Sequence, residues 1–304
     1  AKKIWKNGEF IDWEQATLHV STHALHYGTA WFEGIRCYET SRGSEIFRLS
    51  EHVNRLFNSC KIYRTEIPFS RKEIEQAILE TIQINGLEHC YIRPLVLRGA
   101  GGMGLDPLNI PIECFVMVWE WGRYLGEESL TVGVDVEISS WNRAAPNTFP
   151  SMAKASGNYI NSSLIKMEAT LAGFAEGIAL DSNGYVSEGS GENIILIQNG
   201  VIYTPPISSS ILPGITRDSV ITLAKEHDYT VIEQTIPREM LYLADEIFLT
   251  GTAAEVTPIR SVDHIKIGQG KRGPITAQLQ QNFFSYVEVQ ADDRHKWMTQ
   301  VYNK

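Results

Sequence analysis

Long apolar runs are missing from these 304 residues. The longest, Cys-Phe-Val-Met-Val-Trp at 114–119, has six residues, where a membrane-crossing helix needs roughly 20. No membrane span is expected. Cysteine is scarce too: Cys37, Cys60, Cys90 and Cys114 stand far apart, with no Cys-x-x-Cys and no Cys/His zinc spacing. They read as reduced thiols, because a chain of this length has no need of disulfide staples. The opening Ala-Lys-Lys-Ile-Trp has no apolar stretch behind its charges, so the expected setting is the cytoplasm. Basic charge is in deficit, with 27 Lys and Arg against 36 Asp and Glu and a net charge of −9. Gripping a nucleic-acid backbone requires the opposite balance. Neither nucleic acid nor a membrane is expected as a partner, and there is no internal repeat.

What is present is a chain longer than one hydrophobic core usually spans. A hairpin opens it: Ile4-Trp5-Lys6, an Asn7-Gly8 turn suited to positive φ angles, then Glu9-Phe10-Ile11. Two helices follow. Ser50 is the expected cap of the first, with Val53, Leu56, Phe57 and Cys60 on one face. Ser70 and Glu73 form a capping-box pattern for the second, which carries Ile74, Ile78 and Ile82 and stops at Gly86. Strands at 91–98 and 114–121 are joined by a glycine-rich loop.

The pattern breaks into a Gly/Glu-rich stretch near 122–131, the expected linker between a small N-terminal domain, 1–121, and a larger C-terminal one, 132–304. Beyond it the pattern gives a strand at 131–138, a proline-rich loop, and a helix from 158 to 171 ending at Gly173. Short strands near Ile178, Val186, Ile194, Val231 and Ile247 and helices after Thr216 and Ile275 complete it. The expected class is α/β (α+β), with hairpins that exclude a purely doubly wound sheet.

Gly99-Ala-Gly-Gly-Met-Gly104 is a literal GxGxxG after a strand. A dinucleotide site needs a helix directly behind it, and Leu105-Asp106-Pro107 followed by Pro111 forbids one. The alternatives are a flexible loop or a loop lending Met103 and Leu105 to a site. His19, His23 and His26 lie close together, but no Asp or Glu stands among them and the local residues favour helix weakly. A structural role is expected for them, and no metal.

Three sets of residues carry chemistry. Lys154 sits between Ala153 and Ala155-Ser156-Gly157, where small neighbours leave room for a planar ring and an amine can form a Schiff base. Glu188 lies within Ser-Glu-Gly-Ser-Gly-Glu-Asn at 187–193; a carboxylate there could face a pyridine nitrogen. Leu212-Pro-Gly-Ile-Thr-Arg opens a helix, and Gly251-Thr-Ala-Ala-Glu follows a strand; helix-start amides with a hydroxyl suit a phosphate. Each alone also fits an ordinary lysine, turn or cap.

Together with Ser-Ser-Trp-Asn-Arg-Ala-Ala-Pro-Asn at 139–147 and Lys-Ala-Ser-Gly-Asn-Tyr at 154–159, these segments resemble the fold-type IV aminotransferases. His26-Tyr27-Gly28, Phe32-Glu33-Gly34, Tyr91-Ile-Arg-Pro-Leu95 and Val262-Asp263 narrow the resemblance to the bacterial branched-chain aminotransferases, and it runs from residue 4 to 284 with order and spacing intact. The resemblance implies a two-domain pyridoxal 5′-phosphate enzyme with a pseudo-barrel C-terminal domain. The implied reaction exchanges amino groups between L-leucine, L-isoleucine or L-valine and 2-oxoglutarate.

By that resemblance Lys154 carries the cofactor and moves the substrate proton, Tyr159 bonds the phenolic oxygen, Glu188 the ring nitrogen, and Leu212 packs on the ring. Arg55, Gly214, Ile215, Thr216, Gly251 and Thr252 hold the phosphate end. Tyr27, Phe32, Gly34, Trp121, Tyr124, Met103 and Leu105 form the substrate pocket. Arg93 binds a glutamate γ-carboxylate, and Tyr91 with the Thr252–Ala253 amides takes the α-carboxylate. Met103 and Leu105 would come from a neighbouring subunit, which implies a homo-oligomer, a homodimer at least. A D-amino-acid or (R)-amine transaminase on the same fold is the alternative; Tyr91 and Arg93 fit the L-specific pattern.

Overall fold

The computed structural model describes residues 1–122, 126, 128–288 and 292–302. The expected substrate residue Tyr124 lies outside the described residues. The chain divides into two compact units: Ala1–Trp121 with Ala153–Asn158 and Tyr286–Lys304, and Gly122–Met152 with Tyr159–Ser285.

The first unit is built on an eight-stranded sheet in which every pairing is antiparallel. Its order is Met298–Gln300, Gly43–Phe47, Ile35–Thr40, Cys90–Arg98, Ile112–Trp119, Lys3–Lys6 and Glu9–Asp12, with Ala30–Phe32 also paired on Cys90–Arg98. The Asn7-Gly8 hairpin forms as expected, both residues at positive φ. Helices Leu49–Ile62 and Arg71–Asn85 bury Val53, Leu56 and Cys60, and Ile74, Ile78 and Ile82, in one core with Ile35, Ile92, Val116 and Val118. Residues three and four apart share a helix face, so each helix offers one apolar stripe.

Ser70 and Glu73 make the reciprocal capping box, and Gly86 closes that helix at φ 62°. The expected cap at Ser50 is corrected: the helix starts at Leu49 and its cap residue is Arg48, at φ 55°. A distant tether sets that start. The Arg48 amide bonds Trp297 O, and its guanidinium stacks on the Trp297 ring while bonding Glu51. The strands Ala30–Phe32, Ile35–Thr40 and Gly43–Phe47 add to those expected from the sequence.

The second unit holds a nine-stranded mixed sheet. Its order is Val186–Gly189, Glu176–Leu180, Val134–Ile138, Glu255–Val262, Glu246–Gly251, Asn193–Gln198, Val201–Thr204 and Val231–Glu233, with Ile265–Lys266 on Glu255–Val262. Val134–Ile138 runs parallel to both neighbours, and Val201–Thr204 parallel to Val231–Glu233. The central strands are buried along nearly their whole length, as strands covered on both faces are. Helices Tyr159–Leu171, Ile215–Glu226, Arg238–Leu243 and Pro274–Val287 accompany the sheet. The strand expected from 131 begins at Val134 instead. Ser129–Val132 is a helical turn ended by Gly133 at φ 85°, where a side chain would crowd Pro258 and Arg260. Among the described residues no helix is long and apolar enough to cross a membrane.

Candidate active site

Lys154 belongs to the first unit, although the longer segments on both sides of it in sequence belong to the second. Its backbone is held at both ends: the Lys154 amide donates to Ser59 Oγ at 2.9 Å, and the Phe32 amide donates to Lys154 O at 3.1 Å. An isolated bridge between Trp31 and Ala155 adds a third tie. Ser59 Oγ in turn donates to Arg55 O at 2.9 Å, so the helix carrying Arg55 also fixes the lysine backbone. Gly28 and Gly157 approach closely enough that a side chain on Gly28 would press on the Gly157 backbone.

The Phe32 ring is shared by two cations. Lys154 Nζ lies 4.9 Å from its centroid and Arg93 Cζ 4.6 Å. Arg93 is further surrounded by the rings of Tyr91, at 5.3 Å, and Trp119, at 5.7 Å. Its Nη2 donates to Tyr91 Oη at 3.2 Å, while its buried Nε meets no acceptor among the described residues. Trp121 packs edge-on against Tyr91 with centroids 4.5 Å apart. Gly34 admits the Tyr91 hydroxyl where a Cβ would overlap it. Of the expected substrate residues, Phe32, Gly34, Tyr91, Arg93 and Trp121 are thus gathered here. Trp119 joins them with no motif to mark it.

The loop 99–104 connects two antiparallel strands and no helix follows it. The loop is held from the helix His23–Tyr27: His23 Nε2 contacts Gly104 O at 3.0 Å, and Tyr27 Oη donates to Met103 O at 2.8 Å. His26 Nε2 contacts Val20 O, and His19 Nδ1 contacts Ser21 Oγ. Met103 and Leu105 stand exposed at 52% and 80%.

Arg55 does not stand alone as the expected phosphate cation. Its Nε and Nη2 donate to Glu33 Oε1 and Oε2 at 2.7 and 2.8 Å, and His52 Nδ1 lies 2.7 Å from Glu33 Oε2. Burial alone would raise the Glu33 carboxyl. The charge and hydrogen bonds of Arg55, followed by those of His52, outweigh it and hold Glu33 far below the usual carboxylate range. Burial pushes His52 down, against the pull of Glu33.

In the second unit Glu188 is 8% exposed. Its Oε2 accepts from Asn193 Nδ2 and from the Leu212 amide, both at 3.0 Å, and its Oε1 lies 3.2 Å from Arg143 Nε. Arg143 also bonds Asn161, Ser162 and the carbonyls of Gly189 and Ser190. Asn193 Nδ2 reaches Leu212 O at 2.9 Å, and a Cβ on Gly214 would collide with Asn193 Oδ1. Gly214 begins the helix Ile215–Glu226 and offers no side-chain cap. The first-turn amides, Ile215 and Thr216 among them, therefore lack a side-chain cap and lie at the positive end of the helix dipole. Gly251, Thr252 and Ala253 follow at the end of the strand Glu246–Gly251, and Tyr159 opens the helix Tyr159–Leu171. A buried, charge-paired carboxylate and an uncapped helix start are what a protonated ring nitrogen and a phosphate require. Among the described residues no cluster of His, Cys, Asp and Glu suits a metal.

Glu33, His52, Arg143 and Asn193 carry much of this geometry, and the sequence gives them no role. Their one signal is a position inside or near the motifs that carry the resemblance.

Glu192 behaves differently from its neighbour Glu188. Burial first and then the charge of Glu176 push it up to about 8, against the Gly191 amide, Lys166 and Arg143. An unfolded Glu titrates near ~4.3. Its contribution to stability is therefore complete below that value and lost as pH rises through about 8. The depressed His52 acts in the opposite direction, its contribution being present above roughly pH 6.5 and lost as pH falls. Between about pH 6.5 and 8 the Glu192 effect should prevail: the melting temperature should fall as pH rises, and Glu192→Gln should flatten that slope. An equally steep slope in the variant would refute the assignment.

The profile of the family described as Amino-transferase class IV matches residues 30–262. The branched-chain-amino-acid aminotransferase of Escherichia coli (strain K12) is 51% identical over 99% of this chain and 98% of its own length. A crystal structure of the E. coli enzyme superposes with a TM-score of 0.98, at 51% identity, over 99% of this chain and 100% of that one. The T.th. branched-chain amino acid aminotransferase, solved with N-(5′-phosphopyridoxyl)-L-glutamate, gives 0.95 at 48% identity over 99% of both chains. With matches that span both units, the chain belongs to the class IV aminotransferases of fold type IV, in the branched-chain-amino-acid aminotransferase family.

Proposed function

We propose that the chain exchanges amino groups between L-leucine, L-isoleucine or L-valine and 2-oxoglutarate, with pyridoxal 5′-phosphate as cofactor. The observation that carries the substrate reading is the Phe32 ring, which has the Lys154 amine and the Arg93 guanidinium both packed on it. One surface then offers an apolar wall for a branched side chain and a cation for a γ-carboxylate. Arg93 Nε is a buried donor without an acceptor among the described residues, and burying a donor that way costs about 1–3 kcal/mol. Pairing of the guanidinium charge with a substrate carboxylate would offset that cost. The T.th. relative is solved with a phosphopyridoxyl-glutamate conjugate, which supports both the cofactor and the acidic substrate.

Bound pyridoxal 5′-phosphate supplies an electron-withdrawing ring that stabilises negative charge at the substrate Cα. Lys154 would hold the cofactor through its amine, and the same amine would take the Cα proton and return it at C4′. Glu188 holds the ring nitrogen protonated, Tyr159 bonds the phenolic oxygen, and Leu212 packs on the ring. Arg55, the Gly214–Thr216 helix start, and Gly251 with Thr252 hold the phosphate. Tyr91 and the Thr252 and Ala253 amides take the α-carboxylate. Met103 and Leu105, exposed on a tethered loop, complete the pocket of a second copy of the chain.

Half-reactions test this reading. L-leucine should bleach the cofactor absorbance to that of the amine form, and 2-oxoglutarate should restore it. Conversion by D-alanine with none by L-leucine would instead make the chain a D-amino-acid transaminase, the alternative on this fold.

A further inference from the structure

We infer that Glu33, backed by His52, is the positioning residue for the phosphate-binding arginine Arg55. The inference rests on the proposed role of Arg55. An arginine side chain has a flexible three-carbon stem and a rigid planar fork, and its value in anion recognition depends on how the fork is aimed. Here Glu33 meets one edge of that fork with two hydrogen bonds, at 2.7 and 2.8 Å. That edge uses Nε and one side of Nη2. The donors that do not face Glu33 are those of Nη1 and the outer hydrogen of Nη2, and the plane in which they lie is set by the carboxylate.

The carboxylate is itself rigidly placed. Glu33 is fully buried, its amide donates to Pro94 O at 2.9 Å, and its Oε2 accepts from the Gly34 amide at 3.3 Å. His52, 2% exposed, closes the remaining side at 2.7 Å. His52 and Arg55 stand one helical turn apart on Leu49–Ile62, so both side chains leave the same helix face toward Glu33. Immediately before Glu33, the Phe32 amide holds Lys154 O. The dipeptide Phe32-Glu33 therefore fixes the lysine backbone with one residue and the arginine fork with the next. Packing alone does not account for a buried ion pair of this kind, because apolar residues of similar volume usually serve stability as well or better.

The arrangement also makes a specific electrostatic statement. Glu33 neutralises the formal charge of Arg55, so removing the carboxylate strengthens the local positive field while it releases the fork. If net charge governed phosphate binding, the change would tighten it. If aim governs, the change weakens it. Our inference requires the second.

The test is equilibrium titration of the full chain, freed of cofactor, with pyridoxal 5′-phosphate and with pyridoxal, which lacks the phosphate. Arg55→Met is the reference and should lower the ratio of the two affinities. Glu33→Gln should lower the same ratio by about tenfold, the equivalent of one charge-assisted hydrogen bond, with pyridoxal affinity changed less than about twofold. A general structural role would weaken both ligands together and leave the ratio in place. His52→Gln should move the ratio in the same direction by a few-fold, and it carries the test if Glu33→Gln does not fold. An unchanged or increased ratio in the Glu33 and His52 variants, with Arg55→Met still effective, overturns the positioning inference alone. An unchanged ratio in Arg55→Met overturns the phosphate role of Arg55 with it.

Discussion

Lys154→Ala should lower the transamination rate by about 10⁴-fold or more while leaving the fold in place. The size follows from the two roles proposed for one amine, linking to the cofactor and then relaying the Cα proton, the second of which alone is worth roughly 10²–10⁴-fold. The fold should persist because the lysine is anchored through its backbone. The bonds to Ser59 Oγ and from the Phe32 amide survive loss of the side chain, and so does the Trp31–Ala155 bridge. Steady-state rates with L-leucine and 2-oxoglutarate, read beside the melting temperature, check both halves. Retention of more than a few per cent of the rate would remove Lys154 from the mechanism.

Glu188→Gln should be the most damaging conservative change in the second unit, for activity and stability together. Glu188 Oε2 accepts from two donors, Asn193 Nδ2 and the Leu212 amide, and its Oε1 faces Arg143 Nε. A carboxamide has one acceptor oxygen, so one of these sides would meet an NH₂ group, donor against donor. Arg143, whose side chain is 9% exposed, would lose its direct carboxylate. Breaking a buried pair in this way costs about 3–5 kcal/mol. The same change would remove the anion proposed to keep the ring nitrogen protonated, so the turnover rate should fall by about 10²-fold or more. Denaturant midpoints and turnover measured on one preparation separate the two effects. A variant of unchanged stability would show that Arg143 does not depend on Glu188.

The parts of the fold that can be read from sequence are those fixed by near neighbours. Asn7-Gly8 forces its turn through two positive φ angles, and the Ser70–Glu73 box and Gly86 define a helix from within. The strands from Ala30 to Phe47 are only partly local: Ile35–Thr40 and Gly43–Phe47 pair with each other across Ser41-Arg42, but their outer partners, Cys90–Arg98 and Met298–Gln300, are distant in sequence. Ser50 misleads for a related reason, since a contact with Trp297 sets the start of that helix.

The candidate site divides along the same line. Lys154, Glu188 and the helix start at Gly214 sit in short segments whose spacing carries the resemblance. Glu33 with Arg55, and Arg143 with Glu188, are pairs 22 and 45 residues apart, and no local periodicity reveals an ion pair across such a distance. Nor can sequence order show that Lys154 is built into the first unit, because that follows from its ties to Ser59 and Phe32.

The central claim is that Lys154 is the cofactor lysine. Reducing the yellow protein with borohydride, digesting it and mapping the phosphopyridoxyl adduct by mass spectrometry tests this most directly. A single modified peptide bearing the group on Lys154 is expected. An adduct on any other lysine, or a protein that carries no such group, would contradict it.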